Sequence, residues 1–234
     1  MKQRNYTGVG LHITFVGGVR PLLPGVRVRS LVEENGNFRK NWRSFLCAYL
    51  TARIDMHELE NEMEAQFRKV LDSGLNLTHV NSHEHLHLLP SILDIVIRLS
   101  RKYNVSFIRC PYVCLGGYWF SAPLINIILQ FGMNIFFCIP ARKKIIACGL
   151  NTSRGTSGKL YSGILDQEKI RIFARAFKDG LYELICHPVS IDVDLDVSCR
   201  GMDGGYSREY ETLCSGDLNR FLEEENICLV SFLA

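Results

Sequence analysis

Leu77-Thr78-His79-Val80-Asn81-Ser82-His83-Glu84-His85-Leu86-His87-Leu88-Leu89-Pro90 passes from an apolar run through a histidine cluster to a proline. Its opening, Leu77 to Asn81, reads as a short strand, and Pro90 opens a helix that apolar spacing carries to Tyr103. A strand that passes through a polar turn straight into a helix is the repeating step of a parallel α/β protein.

The same alternation extends in both directions. Upstream, Val9 to Phe15 reads as a strand, followed by a loop with Gly17, Gly18, Pro21 and Pro24. Met56, Leu59, Met63, Phe67 and Val70 recur at helical spacing from Asp55 to Leu71, and Gly74 ends the pattern. Downstream, the predicted series is strand Val105 to Arg109, a long helix from about Ala122, strand Lys144 to Cys148 and helix Gln167 to Lys178. Strand Tyr182 to Cys186, a helix around Asp217 to Glu225 and strand Ile227 to Phe232 complete it. The expectation is one α/β domain over residues 1–234 with mainly parallel strands, either open or curled into a barrel. No Gly-x-Gly-x-x-Gly follows the first strand, which argues against dinucleotide binding.

Composition narrows the function classes. The 234 residues are 47% hydrophobic and 22% charged, ordinary values for a globular chain. Twenty-seven basic residues are dispersed among 24 acidic ones for a net charge of +3, too mild and too mixed to indicate nucleic acid. The nine cysteines form no Cys-x-x-Cys pair and sit mostly in apolar runs, so they read as reduced thiols of a cytoplasmic protein. Met1 to Tyr6 has no apolar segment behind it that would make a signal peptide. Tyr118 to Pro140 is the most apolar stretch, yet Asn126, Gln130 and Asn134 put a polar stripe on it, so a core or interface helix is expected rather than a membrane span.

Four of the seven histidines lie between positions 79 and 87, all at odd positions with Asn81. On an extended backbone these would share one face, at the carboxyl end of a strand, where parallel α/β proteins gather their chemistry. One such histidine would read as a surface or hydrogen-bonded residue. Three in alternation favour a metal or catalytic site, since imidazole is the commonest ligand for first-row metals. His12 in the first strand and His187 before Pro188 would each read alone as strand-end histidines; with the cluster they suggest strands converging on one polar site. Arg109 stands at another strand end, where a surface ion pair and substrate binding are both open.

These residues resemble a known family. Gly10-Leu11-His12-Ile13-Thr14, then Gly18-Val19-Arg20-Pro21-Leu22, then Thr78 to His87, then Cys186-His187-Pro188 are similar to the successive motifs of the YdjC-type carbohydrate deacetylases. Tyr206-Ser207-Arg208-Glu209-Tyr210-Glu211-Thr212-Leu213 and Ile227 to Phe232 add to the likeness, closest in flavour to the hopanoid-associated branch. The resemblance implies an irregular (β/α) barrel and a metal-dependent hydrolase that removes N-acetyl groups from a sugar or glycolipid. It implies His12 and His83 as metal ligands and His187 as the acid that protonates the leaving amine. His85, His87, Asn81 and Arg109 are expected to support those residues or face substrate. Magnesium is the family's implied metal, whereas ligand softness favours zinc, manganese or cobalt.

The family opens with a strand ending in an Ala-Asp-Asp-Phe-Gly-like motif that supplies an aspartate ligand, and this sequence has no Asp-Asp pair. The barrel is therefore expected to be incomplete at its N-terminus, with exposed edges that promote homo-oligomers. Asp192, Asp194 and Asp196 are the acidic residues that follow His187. Three readings stay open on the residues: a deacetylase continued upstream, an impaired relative acting as a metal- or sugar-binding module, and another metal-dependent amide or ester hydrolase.

Overall fold

A computed structural model describes residues 8–113, 124–161, 164–177, 179–189 and 205–232. The chain divides into two compact units. The first comprises Met1–Cys110, Pro140–Thr152 and Ser231–Ala234, and the second Pro111–Ile139 and Ser153–Val230.

In the first unit, β1 (Val9–Ile13), β2 (Leu77–Ser82) and β3 (Phe107–Ile108) form a parallel sheet in that order. Asn151 extends it beyond β3 by accepting from the Ile108 amide and donating to the Ser106 carbonyl. Parallel neighbours need long crossovers. α1 (Trp42–Leu50) and α2 (Met56–Asp72) lie between β1 and β2, and α3 (Pro90–Lys102) between β2 and β3. Asp55 caps α2 by accepting from the His57 and Glu58 amides, and Pro90 begins α3 where its missing N–H costs nothing.

The helical spacing read from the sequence is the spacing that packs. Leu59, Met63 and Phe67 of α2 and Ile92 and Val96 of α3 are fully buried, as are Ile13, Val80 and Ile108 of the sheet. Each large side chain of this kind contributes roughly 1.5–3 kcal/mol by leaving water. Gly10 lies against the His79 ring, so close that an added Cβ would fall 2.1 Å from its Nε2. That gap admits the imidazole, which packs 4.3 Å from the Phe232 ring.

In the second unit, β4 (Gly155–Ser157) pairs in parallel with β5 (Tyr182–Leu184), and the Thr156 amide donates to the Tyr112 carbonyl. α6 (Gln167–Ala176), α7 (Gly205–Cys214) and α8 (Gly216–Glu224) belong to this unit. Its core gathers Val113, Tyr161, Leu165, Ile170, Phe173, Leu218 and Phe221. The α/β class with parallel strands read from the sequence is therefore the class the chain adopts.

Two predicted strands are corrected. Lys144 to Cys148 is not a strand: α4 (Leu124–Met133) runs through a π turn (Asn134–Cys138) into α5 (Ile139–Ala147). Ala141 and Ile145, four apart, are both buried, so the short apolar run was one face of a helix. Pro140 cannot donate back to a helical carbonyl, and beside it the Ile139 amide reaches five residues back to the Asn134 carbonyl. Ile227 to Phe232 is likewise not a strand; its apolar character is used by Phe232, whose ring packs 4.3 Å from Phe107. The first residues of the predicted long helix and the side chain of Asn126 lie outside the described residues, as does the Met1 to Tyr6 segment. Among the described residues no helix is long and apolar enough to cross a membrane.

Candidate active site

The β1–β2 ladder sets His12 opposite Asn81. Both side chains project from the same face, and Asn81 Oδ1 accepts from His12 Nδ1 in a short hydrogen bond. That bond fixes the tautomer: with the proton on Nδ1, the lone pair of His12 is on Nε2. His12 Nε2 lies 3.5 Å from His83 Nδ1, with the two rings nearly perpendicular at 74°. Both imidazoles are exposed, while Asn81 is buried beneath them.

His83 follows β2 directly, and the chain then turns. Glu84 and His85 take left-handed backbone angles, φ 53° and 56°, in a tight 3-10 segment from His83 to Leu88. The shared face expected for odd positions therefore holds through His83 and ends there, because the extended backbone ends there. The left-handed pair costs on the order of 1–3 kcal/mol per residue, and the fold around it must supply that.

His87 supplies part of it. It is fully buried, and both ring nitrogens and its amide are used: Nδ1 lies 2.7 Å from Ser82 Oγ, Nε2 2.7 Å from the Arg109 carbonyl, and its amide donates to Ser82 Oγ at 3.0 Å. A carbonyl only accepts, so Nε2 carries the proton and Ser82 donates to Nδ1. Burial, reinforced by the Arg109 charge, pushes the His87 pKa down to about 4, although the Arg109 carbonyl bond opposes this. His79 is also pushed down to about 4, by burial first and then by Arg109. Of the roles open to His87, burial closes the substrate-facing one: it is a strut that ties the turn after β2 to the end of β3. Arg109 serves the same strut through its backbone, its amide donating to the Val80 carbonyl. His85 is half-buried, its ring 6.3 Å from that of His87.

The loop after β1 comes alongside. A Cβ on Gly17 would lie 3.9 Å from the His83 ring. The loop is held by Glu62, a fully buried carboxylate of α2 that accepts from the Leu22 and Leu23 amides at 3.0 and 2.9 Å. The sequence signal for Glu62 is weak, a single glutamate on the apolar side of an amphipathic helix.

His187 belongs to the second unit. Its side chain is exposed just beyond β5, and its amide donates to Glu209 Oε2 at 2.7 Å. Glu209, fully buried in α7, stands in the Tyr206 to Leu213 motif, where no local pattern marks its service to His187.

The His12–His83 pair fits a metal at two positions. Two nitrogens bound at ~2.1 Å in tetrahedral array lie about 3.4 Å apart, close to the 3.5 Å observed. The bond from Asn81 to the remote nitrogen of His12 is how metal-binding imidazoles are generally oriented. Among the described residues no group of three His, Cys, Asp or Glu side chains converges to hold a metal. Asp192, Asp194 and Asp196 lie outside the described residues.

Comparison with known proteins follows the same lines. The family model described as YdjC-like protein matches residues 1–224. A carbohydrate deacetylase of Thermoanaerobacter pseudethanolicus is 25% identical over 96% of this chain and 76% of its own length. One of Brevibacillus brevis is 26% identical over 99% of this chain and 79% of its own. Carbohydrate deacetylase 1 of Listeria innocua reaches 36% over 101 residues, 43% of this chain and 38% of its own length. A solved structure from Enterococcus faecalis V583, described as a candidate cellobiose-phosphate cleavage protein, superposes with a TM-score of 0.68 at 22% identity. It covers 97% of this chain and 77% of that one, a likeness of fold.

Proposed function

The chain belongs to the YdjC-like family, and from that premise we propose that it is a carbohydrate deacetylase, a metal-dependent hydrolase that removes the N-acetyl group from a sugar. The relatives that align over almost its whole length bear that name. The observation that carries the reading is the exposed His12–His83 pair with Asn81 behind it.

An acetamide is a poor electrophile and water a poor nucleophile. A divalent cation held by His12 and His83 would supply what both lack, a lowered pKa for water and polarisation of the acetyl carbonyl. The chain's own residues do the rest. Asn81 holds the His12 ring so that Nε2, not Nδ1, is presented. The left-handed turn at Glu84 and His85, braced by buried His87, keeps His83 facing His12. His87, its pKa pushed down by burial, stays neutral near pH 7 and adds no positive charge near His12. By its likeness to the family's late Cys-His-Pro motif, His187 would be the acid that protonates a departing amine, and within its own unit Glu209 accepts from its backbone amide.

The test is acetate release from N-acetylated oligosaccharides by the purified chain, with and without added zinc, cobalt, manganese or magnesium. Metal-stimulated release that disappears in His12→Ala and His83→Ala is expected. Hydrolysis of simple esters without acetate release from any sugar would instead place the chain among other hydrolases.

A further inference from the structure

Glu58, Glu62 and Gln66 stand four residues apart on one side of α2, and together they hold the long connection between β1 and α1 by its backbone. Gln66 accepts from the Thr14 amide at 3.0 Å and donates to the Thr14 carbonyl at 2.9 Å. Glu62 accepts from the Leu22 and Leu23 amides, and Glu58 accepts from the Ser30 amide at 2.7 Å and its hydroxyl at 2.8 Å. Gln66 also donates to Glu62 Oε1 at 3.0 Å, so the buried carboxylate meets three donors. Between these pins Phe15 is buried against Phe38 and Phe45, and the Gly17 and Gly18 amides both turn to the Arg39 carbonyl.

A loop that had only to be closed needs none of this. Apolar packing closes a loop without direction, whereas a carboxylate taken out of water is costly unless donors meet it, and bonds to two successive amides fix where the backbone lies. What they fix is the stretch Gly17 to Leu23. It starts against the His83 ring, 3.9 Å from where a Gly17 Cβ would lie. It also carries Val19 and Leu22, 50% and 42% exposed, apolar side chains that the core of this unit does not use. Sites for small molecules are lined mainly by such side chains, with a few polar groups to set orientation.

We infer that Gly17 to Leu23 is a preformed wall of the sugar site beside His83, and that Glu62, with Gln66, is the positioning residue that holds it. This rests on the reading of His12 and His83 as the centre of a sugar deacetylase. Glu62 touches no reacting atom. It keeps the wall in place before substrate arrives, so that binding does not have to order the loop. His12 and His83 are set by the β1–β2 ladder and the turn that follows it, independently of Glu62.

Steady-state acetate release, zinc affinity and hydrogen exchange of the full chain test this. Glu62→Ala should raise KM for an N-acetylated oligosaccharide at least about tenfold with kcat within about threefold of the parent, since the lost interaction is one of binding. Zinc affinity should be unchanged, and exchange should quicken in residues 15–23 but not in β1 or β2. Glu62→Gln keeps the side-chain volume and one acceptor oxygen, so it should fold even if the alanine variant does not, with an intermediate KM. A kcat that falls with KM unchanged would assign Glu62 to stability alone, because unfolding removes sites without altering those that remain. That result overturns the inference, as does exchange equal to the parent's. Calorimetric titration of the same oligosaccharide into the metal-loaded chain reads the wall without turnover. A parent that binds the sugar but releases no acetate sinks the deacetylase reading alone, and the wall is then judged by whether Glu62→Ala weakens that binding. A parent that binds no sugar overturns both.

Discussion

Asn81 Oδ1 accepts the Nδ1 proton of His12 from the neighbouring strand, and the two residues are register partners in the β1–β2 ladder. A single inter-strand hydrogen bond thus selects which imidazole nitrogen His12 offers to His83.

Loss of that bond should weaken metal binding without removing a ligand. Asn81→Ala is expected to lower zinc or cobalt affinity by about 10–100-fold, the range seen when such an orienting partner is lost. Asn81→Asp, which still accepts from Nδ1, should retain or improve it. His12→Ala and His83→Ala should each reduce binding below detection in titration calorimetry. A chelator should abolish acetate release, and added metal should restore it. Equal affinity in Asn81→Ala and the parent would show that Asn81 does not orient His12.

His87 makes folding stability depend on pH in a stated direction. Its folded pKa, near 4, lies below the ~6.5 of an unfolded histidine, so between these values the unfolded chain binds the proton and the folded chain does not. Its contribution is fully present above about pH 6.5 and is lost as pH falls toward 4. The size is on the order of 3 kcal/mol. Urea unfolding at pH 7.5, 5.5 and 4.5 should show the parent losing more stability than His87→Gln over that interval. Parallel pH profiles for the two would contradict it.

Gly158 has φ +87°, and an added Cβ would fall 2.0 Å from the Ile185 carbonyl oxygen. Neither the left-handed angle nor the backbone neighbour can yield cheaply, so Gly158→Ala should cost about 3 kcal/mol or more. For a chain of this length that corresponds to a melting temperature lower by roughly 10 °C. An unchanged melting curve would mean that β4 and β5 shift freely past each other.

Glu209 acts on His187 through the backbone. Glu209→Gln keeps an oxygen for the His187 amide and should retain most activity. Glu209→Ala leaves that amide without this partner and should lower kcat more than it raises KM. His187→Ala should cost at least about 10²-fold in kcat, as the loss of a general acid does. If Glu209→Ala and Glu209→Gln behave alike while both remain folded, the carboxylate does not position His187.

Much of the site was legible in the sequence because its residues are polar where burial or exposure of a polar group needs a reason. Asn81 and His83 stand out by alternation and resemblance, His12 by its place in a strand and resemblance, and the β1–β2 ladder with the residue after it brings these three together. His87 was also singled out, yet its place could not be read. Alternation continues only as long as the backbone stays extended, and the left-handed angles at Glu84 and His85 turn His87 into the interior. Glu62 and Glu209 are not legible as anchors, since a side chain that serves distant amides leaves no local pattern.

The α/β class is legible from residue order, because periods of two and of 3.6 in the longer apolar patterns match strands and helices in alternation. Residue order also determined which histidines stand at strand ends. Long-range contacts set the rest: Lys144 to Ala147 is helical, Ile227 to Phe232 joins no ladder, and His87 is a strut while His12 and His83 face each other. The physical reason is the same in each case. A short apolar run suits either period, and a histidine nitrogen has no role until the strand or carbonyl beside it supplies a partner, which lies 69 residues away for His12 and 22 for His87.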